Sequence, residues 1–396
     1  MQSSQVLLIF AAVIPLIVGL LLVSVLFGGG SDDDTTVDPE PEDPVNPEIP
    51  RGFFYDKDSG TIKTGHETDW HVVDWFHAEY NDDLTPYDGY WVKNSKSVQL
   101  SPGMYTVTVE GNDIELEVAG QAERSVQWEY NKDCVIYDMS IDYSVDIDDY
   151  KVLNHDNKSR NAWMDSRHFD RYFFLYLHGM VIIDDTVREV EDKLADEYVR
   201  IGGSVDDRQG YADFLASFAQ LPIKYPSEVP GHDNMFDYKI WGQEEYWCVP
   251  TETLYHVSGD CEDKSILLCA LYGAAGYDYA VVGVSGHVMA AVHLDDYKVP
   301  EKDLLESLSL TYTMGCAKGI SSYSMEYYEI DGVKHHLTTV EPVTYLDEDF
   351  YIVETTHGQT LVGNYAGTSN FGNNTTWGWS GVYTGETVVS LPSDVY

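Results

Sequence analysis

Two spacings of apolar residues divide this chain, a period of two in its first third and a helical period from about residue 186 onward. Tyr105-Thr106-Val107-Thr108-Val109 and Ile114-Glu115-Leu116-Glu117-Val118 alternate strictly, and Gly111-Asn112-Asp113 between them has turn chemistry. The pattern predicts a hairpin there, inside a small sandwich or partial barrel over residues 51–125, with Ser101-Pro102-Gly103 as a further turn. Trp128 to Tyr143 continues in extended style and leads into the next domain. Thr186-Val187-Arg188-Glu189 has the form of a capping box, and Val187, Val190, Leu194 and Tyr198 then mark one helix face. A second helix follows Asp206-Asp207, with Tyr211, Phe214, Leu215 and Phe218 on one side. A third begins at Cys261 and runs to Gly276; it is apolar almost all round, as a helix buried in mid-domain must be. Tyr279 to Val284 and Val288 to His293 then read as short strands joined by Ser285-Gly286-His287, and Phe350 to Thr355 as a late strand. No internal repeat is present.

Val6 to Phe27 carries no charge and is long enough to cross a hydrocarbon core of ~30 Å. It lacks the basic n-region, the short apolar core and the Ala-x-Ala-like site of a cleaved signal. Residues 5–27 are therefore expected to form a single transmembrane helix in contact with membrane lipid. Residues 28–50 (Gly28-Gly29-Gly30-Ser31, then acidic residues and prolines) read as an extended charged tether. Because Asp32-Asp33-Asp34 follow the span directly, the body is expected outside the cytoplasm.

Of the 396 residues, 43% are hydrophobic, enough for true cores and too many for wholesale disorder. The formal charge of -44 comes from 67 acidic and 23 basic residues, and nowhere do Lys and Arg cluster. Nucleic acid and anionic lipid headgroups are thus poor partners for the body. An acidic excess of this kind keeps an exposed protein soluble, and a saline habitat or bound divalent cations are alternative reasons for it. Asn157-Lys158-Ser159 and Asn373-Asn374-Thr375-Thr376 contain glycosylation sequons, which fit an extracytoplasmic side. Of the five cysteines, Cys269 shares the apolar helix of Cys261 and reads as core; one disulfide among Cys134, Cys248 and Cys316 is open. No Cys-x-x-Cys pair occurs, and His335-His336 are adjacent, so they would point to opposite faces of a strand. Those two and His357 read as surface-loop histidines, and neither a metal nor a cofactor is expected.

The densest chemistry lies in Gly259-Asp260-Cys261-Glu262-Asp263-Lys264-Ser265, just before the run Ile266 to Leu271. A thiol in the first turn of a buried helix meets free N–H groups and the positive dipole end, which favour a thiolate. Gly286-His287 and Glu354 follow downstream, giving cysteine, histidine and carboxylate in the order a thiol acyl-transfer site uses. Asp260, Glu262 and Asp263 read chiefly as capping and dipole-complementing groups.

These motifs, together with Pro250-Thr251-Glu252-Thr253-Leu254, Glu354-Thr355-Thr356 and Phe218-Ala219-Gln220, resemble the transglutaminase-like superfamily of the papain-like fold. The likeness is to prokaryotic, chiefly archaeal, membrane-anchored members and covers about residues 127 to 365. It implies an α+β fold: a nucleophile helix packed on an antiparallel sheet (126–365), preceded by the small β-rich domain and the membrane helix. Residues 366–396, with Gly367 and Gly372, form a Gly/Asn/Thr-rich segment outside the likeness; no role is assigned to it. The resemblance implies Cys261 as nucleophile, His287 as its base and Glu354 as the group orienting the imidazole. Asp296 is the alternative third member, because family members often place an Asp soon after the histidine. The Cys261 backbone N–H is an expected oxyanion donor, and Gln220 and Asp260 are candidate oxyanion or support groups. The implied activity is a thiol-dependent amide or peptide hydrolase, or an acyl transferase, acting on a protein or peptide amide. The rival reading is a catalytically inert domain of the same fold that serves as a surface binding or scaffold module.

Overall fold

The computed structural model describes residues 49–57, 59–75, 89–165, 179–225, 237, 246–284, 287–300, 320–324, 327–330, 333–339, 342–345, 348–356, 358–368, 382–384 and 387–389. Across them the protein is α+β with antiparallel sheets. The expected membrane helix and tether lie almost wholly outside the described residues, as do Cys316, His357 and the sequon at Asn373-Asn374. Among the described residues no helix is long and apolar enough to cross a membrane.

The first five strands are β1 (Phe53–Asp56), β2 (Thr61–Asp74), β3 (Tyr90–Gln99), β4 (Gly103–Val109) and β5 (Asn112–Val118). They form one antiparallel sheet in the order β1-β2-β4-β5, with β3 also on β2. The long β2 shifts register between Lys63 and Thr68 as it runs along β3. Its first half pairs with β1 and its second half with β4, so the sheet bends over its own core. That core is made of Ile62, Trp70, Val72, Val98, Leu100, Tyr105, Val107, Val109, Ile114, Leu116 and Val118. It comes from alternation: β4 buries every second residue, and β5 does so from Ile114. Glu110 and Gly111, both at positive φ (51° and 77°), make the tight β4–β5 turn.

The expected boundary at residue 125 falls inside a strand. β6 (Gln121–Lys132) and β7 (Val135–Asp146) pair along their full length, closed by a turn at Asp133 and Cys134 with φ of 52° and 64°. Ala122, Val126, Trp128 and Tyr130 of β6 belong to the second core, so the division between the two cores comes before residue 121. Five helices among the described residues follow or interleave: α1 (Ile147–Asp165), α2 (Asp185–Arg200), α3 (Arg208–Gln220), α4 (Pro250–His256) and α5 (Cys261–Ala274). Helix α1 escapes the apolar pattern because it is largely polar along its length. The cap of α2 is Asp184, whose carboxylate accepts from Val187 N–H at 2.9 Å, two residues before the expected Thr186 box. The acid won because it is placed to reach the N3 amide, while Val187, Val190, Leu194 and Tyr198 are buried as the spacing requires. Asp207 caps α3, and Gly276 (φ +72°) lies just past α5.

A four-stranded sheet, in the order β13-β14-β9-β8, lies beside α5: β8 (Tyr279–Val284), β9 (His287–His293), β13 (Val343–Tyr345) and β14 (Glu348–Val353). Between β9 and β13 lie β10 (Ile320–Ser324), β11 (Tyr327–Ile330) and β12 (Val333–Thr339), which continue onto β15 (Asn364–Thr368) as a second sheet. His335 and His336 thus sit in a strand, β12, rather than in a loop. β16 (Val382–Thr384) and β17 (Thr387–Val389) make a hairpin.

Helix α4 ties the two cores together. Tyr255 OH accepts from Met104 N–H at 2.8 Å, while Arg124 donates from Nε to Tyr255 O at 2.7 Å and lies over the Tyr255 ring. His256 Nε2 lies 3.1 Å from Tyr150 OH and its Nδ1 3.3 Å from Trp75 O. Burial holds this imidazole down at about 3, so it is neutral across the working range.

Candidate functional site

Each candidate residue stands where an element begins or ends. Gly259 is required by close approach, since a Cβ there would lie 2.6 Å from Asp263 Cβ. Asp260 then stands at the N-cap of α5, and Asp263 Oδ2 accepts from its N–H at 3.3 Å. Asp263 Oδ1 also accepts from Cys248 N–H at 2.7 Å, tying the segment before α4 to the helix start. Burial, with Asp260 beside it, holds the Asp263 carboxyl well above the usual range. Asp260 therefore acts as support. Cys261 is the first residue of α5, partly exposed, and its N–H carries no hydrogen bond among the described residues. Cys269, on the same helix, is fully buried, donates to Ala280 O at 3.3 Å and packs in the core; Cys248 is a buried free thiol.

His287 opens β9. Antiparallel register sets Val353 against Ala290, so the end of β14 runs toward the start of β9 and delivers Glu354 there. His287 Nε2 lies 2.9 Å from Glu354 Oε2 and 3.2 Å from Oε1. Cys261 is close enough to the same ring to raise its pKa; with Nε2 engaged by the carboxylate, Nδ1 is the nitrogen left for sulfur. Burial alone would lower the His287 pKa. The hydrogen bonds to Cys261 and Glu354, and their negative charge, override it and push the pKa up to about 10. The imidazolium is thus the resting form at neutral pH. The sulfur has a second neighbour as well, the Glu262 carboxylate, with Oε2 at 2.9 Å.

Glu354 is fully buried, and its Oε1 accepts from Thr355 N–H (2.9 Å), Thr356 N–H (2.9 Å) and Thr356 Oγ1 (2.7 Å). Asp296, the alternative third member, is exposed in the turn after β9, at the opposite end of that strand from His287. It is not the residue on the ring. Asp296 is near His287 along the chain, but sheet pairing makes Glu354, 67 positions away, the adjacent residue.

Gln220 stands behind Glu354. Its Nε2 reaches Glu354 O (2.7 Å), Thr360 Oγ1 (3.0 Å) and Thr360 O (3.2 Å), and its Oε1 accepts from Thr360 N–H at 3.3 Å. Both amide protons are committed, which leaves none for an oxyanion; Gln220 anchors the segment that carries Glu354.

Three groups emerge that the sequence motifs did not single out. Ser265 Oγ lies 2.7 Å from Cys261 O, 3.2 Å from Val288 O and 3.0 Å from Thr355 Oγ1, so one hydroxyl meets all three site-bearing segments. Its position one turn after Cys261 was the available signal. Thr356 was quoted only as part of a motif. Glu252 is buried beneath the site's flank and accepts from Asn154 (2.7 Å), Asn157 (2.7 Å), Tyr246 (2.8 Å) and Val249 N–H (2.9 Å). That network corrects one expectation. Asn157, the first sequon asparagine, is 1% exposed and its Nδ2 is bound to Trp247 O and Glu252, so the folded protein offers no glycan acceptor there.

Among the described residues, the group whose potential metal-ligand atoms all lie within 4.8 Å of one another is Asp260, Cys261 and Glu262. In it Asp260 serves as helix cap and the Cys261 thiol is bonded to Glu262. Comparison of the chain with family models, curated proteins and solved structures returns no match.

Proposed function

We propose that this protein is a thiol-dependent amide or peptide hydrolase, or acyl transferase, with a transglutaminase-like domain of papain-like fold. In this reading it is held at the outer face of a membrane by residues 5–27. One observation carries the proposal: His287 is bonded to the buried Glu354 carboxylate, with Cys261 close enough to raise the pKa of the same ring. A nucleophile, a base and a group that orients the base are the parts this chemistry needs.

Glu354 fixes the His287 ring through Nε2, and at rest the ring already holds the proton drawn from the thiol, so that thiolate and imidazolium form one ion pair. The thiolate attacks the amide carbonyl, and the Cys261 N–H at the head of α5 is placed to donate to the developing oxyanion. The imidazolium then returns its proton to the leaving amine. Water, or a second amine, next attacks the acyl-enzyme, with His287 again taking the proton. Replacing Cys261→Ala should abolish labelling of the site by an alkylating amide-mimic probe while leaving the circular dichroism unchanged. Undiminished labelling at this site would remove Cys261 as the nucleophile and leave the inert scaffold reading.

A further inference from the structure

We infer that Thr356 is a positioning residue that holds the Glu354 carboxylate against the His287 ring. The inference rests on the thiol-site reading above and goes one layer behind it. Glu354 is fully buried, so its negative charge has lost water and needs fixed donors in compensation. Oε2 faces His287, and Oε1 receives the Thr356 hydroxyl at 2.7 Å, the shortest of its bonds, besides two backbone N–H groups. A hydroxyl with several acceptors near it can turn away, but a threonine hydroxyl set on the residue that also donates its own N–H is held to one oxygen.

Among the described residues, few groups face His287. Helix α5 brings Cys261, with Glu262 on its sulfur, and the segment after β14 brings Glu354. Helix α3 contributes Gln220, a neutral amide bound to the Glu354 and Thr360 backbone. Lys264, the buried cation of α5, donates to the Gln220 and Ile223 carbonyls. The Glu354 carboxylate is therefore the main fixed charge behind the ring, and without the Thr356 hydroxyl on Oε1 it is free to turn Oε2 away, which weakens the ion pair and lowers the His287 pKa. Thr356→Val keeps the side-chain shape and both backbone donors and removes only the hydroxyl.

The test follows the His287 Cε1 signal of the full-length chain in detergent by NMR, from pH 6 to 11, with the signal assigned by His287→Gln. The native ring should titrate near 10. Thr356→Val should lower that midpoint by about one unit, and Thr356→Ser should restore it to within about 0.3. Glu354→Gln serves as the reference and should lower it further. If Glu354→Gln lowers the midpoint and Thr356→Val does not, Thr356 has no such role although the triad stands. If neither moves it, the Cys261–His287–Glu354 arrangement itself is refuted. Thr356→Ser behaving like Thr356→Val would also overturn the proposal, because loss of packing would then account for the shift.

Discussion

The β1–β5 sheet and the helix-rich body solve burial in different ways. The sheet's core is a set of apolar side chains whose positions follow from alternation. The body buries a much larger apolar cluster and, threaded through it, Glu252, Asp263, Lys264, Gln220, Asp213 and Glu354. Apolar burial stabilises by about 1.5–3 kcal/mol per large aliphatic side chain and requires no partner. A buried polar group is tolerated only when hydrogen-bonded, and a buried charge only when paired as well. Most of these polar residues hold the segments that bear Cys261, His287 and Glu354. The contrast teaches that the first region is built for a shape and the second for a placement of charge.

Substitutions can sharpen that contrast. The largest effect is expected at Glu252→Leu, which strips the acceptor from Asn154, Asn157, Tyr246 and the Val249 N–H together. Denaturant unfolding should show a loss of about 3–5 kcal/mol. A loss under 1 kcal/mol would mean that the network is dispensable.

Asp213 gives the next effect, with the opposite sign. Its carboxyl, 7% exposed, bonds one backbone group, Val362 N–H at 2.7 Å; burial raises its pKa from 3.8 to about 8. A group raised in the folded state contributes stability that is fully present below pH 3.8 and lost as pH rises through 8. Asp213→Asn keeps the bond to Val362 and cannot ionise. It should match the wild type near pH 4 and exceed it at pH 9 by on the order of 3 kcal/mol. Equal stability at both pH values would contradict the assignment. The smallest effect belongs to the sheet: Ile114→Val should lower stability by only about 0.5–1.5 kcal/mol, independent of pH. A pH-dependent loss there would erase the distinction between the regions.

How far the sequence spoke depended on which force set each element. The β4–β5 hairpin and the buried faces of α2 and α3 were legible because apolar spacing fixes them. Helix α1 was silent, for its polar residues are buried by bonds to Glu252 and Trp247 that no periodicity signals. The same bonds explain why Asn157 read as a glycan acceptor. At the site, Cys261 and Asp260 could be read from the turn and helix start, since capping is local. Glu354 over Asp296 could only be weighed, because strand pairing across 67 positions decides it. Gln220 was placed on the right helix as an oxyanion or support group, and its bonds to Thr360 and Glu354 fit support. Ser265 and Thr356 had no signal beyond proximity to a motif.

The central claim is that an imidazolium stands beside the Cys261 sulfur at neutral pH. The rate of Cys261 alkylation by iodoacetamide, followed by mass spectrometry of the peptide that contains it, tests this between pH 5 and 10. The account predicts a rate that falls sharply in His287→Ala across that range. A rate indifferent to His287 would contradict it.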